Sequence, residues 1–194
     1  MISISTKPWL DKGYELFGQV GPEGFKIEPL AKAVKISKSS FYHHFADLQV
    51  FEQELLQWHY AKAKRLVAEV QACKSIVPDF LNLLIEQKEL IYFNRQLLIH
   101  KHKEAYIQCF QQVNGLLQAN FLGIWAQLIQ LSDQLDIANE ILHVVVQLFY
   151  QRLPPLDFDY NWILSFLKEV NTFLQAILKA KGIEYSVGKL PFTA

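Results

Sequence analysis

The sequence predicts an all-α protein, and three observations carry that expectation. Apolar residues recur at spacings of three and four through most of the chain, the pattern of helices with one buried stripe. Strand-like alternation is absent, and no longer internal repeat is visible. Hydrophobic residues make up 51% of the 194 residues and aromatics 13%, enough to fill a sizeable core. The architecture expected is a three-helix N-terminal domain built around a helix-turn-helix, followed by a larger helical domain.

The first helix is expected from about Pro8 to Val20, with proline tolerated in its opening turn, and Gly21-Pro22-Glu23-Gly24 breaks it. Two short helices joined by a tight turn follow. Leu30, Ala31 and Val34 form the inner face of the first. Lys26 stands where a hydroxyl cap would be useful, so that cap is either lost or moved to Glu28, with Pro29 in the first helical position. Ile36 pins the turn to the core. Ser37 is placed to cap the second short helix, and Phe41 and Phe45, four residues apart, face inward together. Lys38, Ser39, Ser40, Tyr42, His43 and His44 are left outward. Such a helix can enter a DNA major groove, its N-terminal end meeting base edges and its hydroxyls and cations meeting phosphates.

Asp47 is a natural cap for a fourth helix, in which Phe51, Leu55 and Trp58 recur and which continues to about Ala72. From Pro78 the pattern resumes with Phe80, Leu81, Leu84 and Ile85, then Ile91, Tyr92, Leu98 and Ile99. A long helix carries Tyr106, Phe110, Val113, Leu117, Phe121, Ile124 and Leu128. The next, from Ile137 to the Pro154-Pro155 stop, is apolar over more than half its circumference and needs cover on two sides. Asp159 or Asn161 caps a last helix with a stripe from Ile163 to Leu178; Lys179 and Lys181 suit its final turn and Gly182 its stop.

Formal net charge is zero, but its distribution is uneven. Residues 26–46 hold Lys26, Lys32, Lys35 and Lys38 against Glu28 alone, whereas acidic residues slightly outnumber basic ones beyond residue 66. Cys73 and Cys109 make no CxxC and no disulfide framework, as in a protein of a reducing compartment. The N-terminus lacks the pattern of a signal peptide, and the most apolar stretch, 137–150, is interrupted by Glu140, His143 and Gln147. A cytoplasmic protein without a membrane partner is expected. His100 and Glu104 could share a helix face, but His102 would point elsewhere, so no metal is expected. No phosphate loop, nucleophile elbow or paired-carboxylate arrangement is present; neither an enzyme nor a cofactor is expected.

Ile-Ser-Lys-Ser-Ser-Phe-Tyr-His-His-Phe at 36–45 resembles the recognition-helix signature of the TetR family of bacterial transcriptional regulators. Trp9, Leu10, Gly13, Leu16, Phe17 and Gly21 are similar to that family's first helix, and Leu30-Ala31 to its second, so the resemblance covers about residues 8–58. It implies a DNA-binding domain at 1–46 and a ligand-binding and dimerisation domain at 47–194. It further implies a regulator, expected to be a repressor, that binds a near-palindromic double-stranded operator as a homodimer and answers a small apolar or amphipathic effector. The DNA-facing residues expected are Lys26, Ser37, Lys38, Ser39, Ser40, Tyr42, His43 and His44, with His43 the more exposed of the histidine pair. Leu48 departs from the pattern, because relatives commonly carry a phosphate-anchoring basic residue there. Tyr92, Phe93, Tyr106, Phe110, Phe121, Trp125, Tyr150 and Trp162 are the candidates for an effector pocket; ordinary core packing is the competing reading for each. The dimer is expected through helices near 137–152 and 161–181, with Val145 and Leu174 in the seam. The alternative is a helical small-molecule binding protein with a vestigial DNA-binding head.

Overall fold

Residues 6–155 and 157–180 are described in the computed structural model, the side chains of 177–180 excepted. Every regular element among them is helical: α1 (Lys7–Gly24), α2 (Ile27–Val34), α3 (Lys38–His44), α4 (Leu48–Ala72), α5 (Leu81–Glu86), α6 (Lys88–Ile99), α7 (Glu104–Leu128), α8 (Leu135–Arg152) and α9 (Tyr160–Ala180). A wide helical turn, Ile76–Phe80, leads into α5. Lys181 and Gly182, the expected last turn and stop of α9, lie outside the described residues. No described helix is long and apolar enough to cross a membrane, and no described group of His, Cys, Asp and Glu could hold a metal ion.

Capping side chains set several helix starts. Asp47 Oδ1 accepts from Val50 N at 2.8 Å at the head of α4, and Asp159 Oδ1 accepts from Trp162 N at 2.8 Å at the head of α9. Asp79 Oδ2 accepts from the backbone N–H groups of Lys74 and Ser75 and from the Ser75 hydroxyl, each at 3.0 Å. Those bonds, the Lys74 N–H first, hold its carboxyl below the usual carboxylate range.

The chain forms two compact units, Met1–Leu66 with Gln87–Leu116, and Val67–Glu86 with Leu117–Ala194. The functional boundary expected at residue 46 falls inside the first. In that unit α1 presents Trp9, Leu10, Gly13, Tyr14, Phe17 and Gly18 to the core at helical spacing, while Leu16, a residue of the family resemblance, is half-buried. Gly13 is there for close approach: a Cβ would lie 2.6 Å from Cζ of Phe51, a fully buried ring on α4. At Gly21 the helix is interrupted by a left-handed residue (φ 67°), a conformation that glycine adopts without a Cβ penalty. Pro22 follows and has no N–H to offer the carbonyl of Gly18 one turn back. The buried Gln96 side chain of α6 supplies it instead, donating Nε2 to Gly18 O at 3.2 Å.

The second unit closes around aromatic contacts. Phe80 stacks on Phe121 with ring centroids 4.0 Å apart, and Trp125 Nε1 donates to Ala138 O at 3.0 Å, tying α7 to α8. Phe149, Phe158, Trp162 and Phe166 meet edge to face and stacked between α8 and α9, and Arg152 pairs with Glu169 on the surface. Val145 and Leu174, expected in an intermolecular seam, are buried within this unit, whereas Val144 and Phe173 beside them are 47% and 46% exposed. The apolar stripe of each helix is used internally, and the neighbouring residue faces outward.

Candidate nucleic-acid interface

Four aromatic rings fix the short helix α3, which carries most of the outward residues. Phe41, fully buried on α3, meets Trp9 of α1 edge-on at 5.4 Å and Phe51 of α4 at 5.3 Å. Phe45, the residue that ends α3, packs against the same Phe51 at 4.6 Å. Phe51 therefore anchors both apolar residues of α3. Burial of one large aromatic contributes about 1.5–3 kcal/mol, so α3 is held by its tertiary contacts and not by its seven-residue length.

The turn before α3 is closed by backbone bonds. Lys35 adopts the left-handed conformation (φ 61°, ψ 35°), its N–H bonding Lys32 O at 3.2 Å, while Ile36 N bonds Ala31 O at 3.1 Å. This is a Schellman closure with a lysine where glycine is usual. Ser37 then caps α3, its Oγ accepting from Ser40 N at 3.3 Å as expected. At α2 the expectation divides. The helix starts at Ile27, with Lys26 in the cap position and no side-chain cap bond, so the cap is lost and has not moved to Glu28. Pro29 is therefore the third residue of the helix and not the first as expected, still within the first turn, where a missing N–H leaves no helical bond unmade.

Packing of Phe41 and Phe45 inward leaves the opposite face of α3 open. Lys38, Ser39, Tyr42 and His43 are exposed, Ser40 and His44 half-buried, and Ser37 and Lys26 exposed. Tyr42 stands 55% exposed, its ring lying edge-on to Phe41. All eight residues expected to face DNA thus reach the surface of the first unit, although Ser37 Oγ is already engaged as a cap.

Lys26, Lys32, Lys35 and Lys38 are all exposed, as the charge distribution requires. Lys38 Nζ pairs with Glu28 Oε2 of α2 at 3.1 Å, a contact that no local pattern in the sequence announces. That hydrogen bond, then the Lys38 charge, then the Lys32 charge hold the Glu28 carboxyl below its usual range. Ten residues separate the pair in sequence, and only the α2–α3 turn brings them together. Leu48, the departure from the family pattern, is half-buried in the first turn of α4.

The eight aromatics considered for an effector pocket divide between the units. Tyr92, Phe93, Tyr106 and Phe110 are buried in the first, where Phe93 stacks on Tyr14 at 4.4 Å and Tyr106 donates its hydroxyl to Glu52 Oε2 at 2.8 Å. Phe121, Trp125 and Tyr150 are buried in the second, with Trp162 half-buried and stacked on Phe166.

A buried polar chain in the first unit also went unread. The Tyr14 hydroxyl lies 2.6 Å from His59 Nδ1, His59 Nε2 lies 3.1 Å from Asn94 Oδ1, and Asn94 Nδ2 donates to Asn114 Oδ1 at 3.0 Å. Burial pushes the His59 imidazole down to about 4, so the ring is neutral and carries a single proton. Its signal is in the sequence: His59 follows Phe51 and Leu55 at spacings of four, which puts a polar ring in the phase of an apolar stripe.

Residues 10–47 match the family model described as bacterial regulatory proteins, tetR family. Among solved structures, the chain is similar to a transcriptional regulator (TerR/AcrR family) from Aquifex aeolicus VF5. The two share 19% identity and a TM-score of 0.59 over 89% of this chain and 99% of that one. No curated protein matches the chain in sequence. The matched segment is the one that carries the turn, cap and outward face of α2 and α3, so residues 10–47 resemble the helix-turn-helix of the tetR family, and the all-helical fold of the chain is similar to that of the Aquifex regulator.

Proposed function

We propose that the chain is a transcriptional repressor that binds a near-palindromic operator as a homodimer and releases it on taking up a small apolar or amphipathic effector. The observation that carries this reading is α3 itself: two buried phenylalanines hold it while Lys38, Ser39, Tyr42 and His43 stay open to solvent. Base edges would be met by Ser39, Ser40, Tyr42 and His43, and phosphates by Lys26, Lys38, Ser37 and His44. The functional division follows the DNA-facing residues, with the reading head at 1–46 and effector binding and dimerisation in 47–194. A cytoplasmic location follows from that role. The effector's apolar character rests on the aromatic content of both units, including Tyr92, Phe93, Tyr106, Phe110, Phe121, Trp125, Tyr150 and Trp162.

Fluorescence anisotropy with duplex DNA from beside the protein's own gene tests this. Tyr42→Ala should weaken specific binding by about 1–3 kcal/mol, the worth of a base contact, and Lys38→Ala should lower the salt slope by about one. Unchanged binding in both, with helicity intact, would remove α3 from the interface. The rival reading, a small-molecule binding protein with a vestigial head, draws support from the Lys38–Glu28 pair and the half-buried Leu48, which occupy or remove phosphate-anchoring positions. It requires that no duplex bind better than random DNA.

A further inference from the structure

We propose that Tyr14, His59, Asn94 and Asn114 form a directional hydrogen-bond relay through the first unit, running from α7 to the helix that supports the recognition helix. The four residues come from α1, α4, α6 and α7, one from each, and all four are buried. The proposal rests on the reading above that the chain answers an effector, and it specifies how the head is informed.

The direction follows from the donors. Asn94 gives its Nδ2 to Asn114 Oδ1, so its Oδ1 is the atom facing His59. An amide oxygen only accepts; His59 Nε2 therefore carries the ring proton, and Nδ1 accepts from the Tyr14 hydroxyl. Every donor points the same way, from Tyr14 towards Asn114. Reversal is all or none. If Asn114 turned its amide and donated, Asn94 would have to turn as well, and His59 would have to move its proton to Nδ1 and donate to Tyr14 oxygen. No mixed arrangement keeps all three bonds.

Two further observations make this a device rather than a filler of the core. At one end Asn114 Nδ2 is buried and has no partner, so the chain stops on an unused donor at α7. An effector group that accepts a hydrogen bond there holds the present direction, and one that donates favours the reverse. At the other end Tyr14 sits on α1, which also carries Trp9, and the Trp9 ring lies 5.4 Å from Phe41 of the recognition helix. Phe93 stacks on both Tyr14 and His59, so neither ring can turn away without disturbing α6.

The test is nitrogen-15 NMR on histidine-labelled full-length protein, read beside operator anisotropy for the same samples. In the wild type the His59 pair should show a protonated Nε2 and an unprotonated Nδ1. Asn114→Leu and Asn94→Leu should each move that pair and change operator affinity by about fivefold or more, the low end of measured site-to-site coupling. Val113→Ala, a buried α7 neighbour outside the relay, should lower stability while leaving both readouts in place. A wild-type ring protonated on Nδ1 would overturn the proposal. So would an Asn114→Leu protein with unmoved His59 signals and wild-type affinity, or a Val113→Ala protein that moves both readouts as far. If His59 answers Asn114 but no sample binds operator DNA, the regulator reading fails and the relay stands.

Discussion

Lys38 shows how one side chain can hold two roles. Its ammonium is paired with Glu28 across the α2–α3 turn while both groups remain more than half exposed. Such a surface pair adds little to stability, but it sets a competing acceptor beside any phosphate that Lys38 would contact. Glu28→Gln should therefore tighten DNA binding across all sequences, and titrations at several salt concentrations would show the gain shrinking as salt rises. His59 carries the opposite kind of consequence, a titration sealed inside the fold. Its folded value, about 4, lies below the ordinary histidine value, so the unfolded chain takes up a proton that the folded one refuses. The stabilisation is whole above about pH 6.5 and is lost as pH falls towards 4, on the order of 3 kcal/mol across the window. Urea unfolding at pH 7.5 and pH 5 should show the loss, and His59→Gln should flatten it. A midpoint independent of pH over that range would mean the ring is hydrated.

The helix-turn-helix is the element where local and tertiary chemistry are most evenly matched. Ser37 and Asp47 were legible as caps, because a short acceptor side chain before an apolar-periodic run has few other uses. The start of α2 was less legible, since a lysine offers no acceptor and the helix is held instead by Leu30 and Ala31 against the core. Lys35 was invisible as a backbone feature: nothing in a lysine announces a left-handed conformation, which costs about 1–2 kcal/mol without glycine. Lys35→Gly should raise the thermal midpoint, by an amount corresponding to about 0.5–1 kcal/mol, because it keeps the Schellman bonds and removes the Cβ penalty. It also removes an exposed cation from the head, so stability and DNA affinity should move in opposite directions. If both fall, Lys35 has a structural contact beyond its backbone geometry.

At the scale of the whole molecule, the proposed operator geometry needs a dimer, and the outward surfaces of α8 and α9 are where it would form. Among the described residues of those helices, Leu135, Val144 and Phe173 are the exposed large apolar ones; Val144 and Phe173 lie within their helices, and a glutamate at either would be stranded in a closed interface but harmless on a free surface. Val144→Glu and Phe173→Glu should therefore shift sedimentation equilibrium towards monomer with helicity unchanged. A dimer indifferent to both would move the interface elsewhere, and a monomeric wild type at micromolar concentration would end the dimer proposal. Charges at Val145 or Leu174 would not make that distinction, since both residues are core and their substitution would unfold the unit.

By itself the sequence determined the helical class, the order of the helices, the caps at Ser37 and Asp47, and the outward face of α3, and it narrowed the cap of α9 to Asp159 or Asn161. All of these follow from interactions within a few residues: periodicity, turn chemistry, and a hydroxyl or carboxylate one turn from a free N–H. Tertiary structure decided which face of α8 and α9 is internal, which unit each buried aromatic belongs to, the Lys38–Glu28 pair, and the chain from Tyr14 to Asn114. These join residues 10 to 45 positions apart, and a stripe at spacing three and four states that a face is buried without stating what buries it. Local pattern carries the period of a helix; only the packed chain carries its phase against its neighbours.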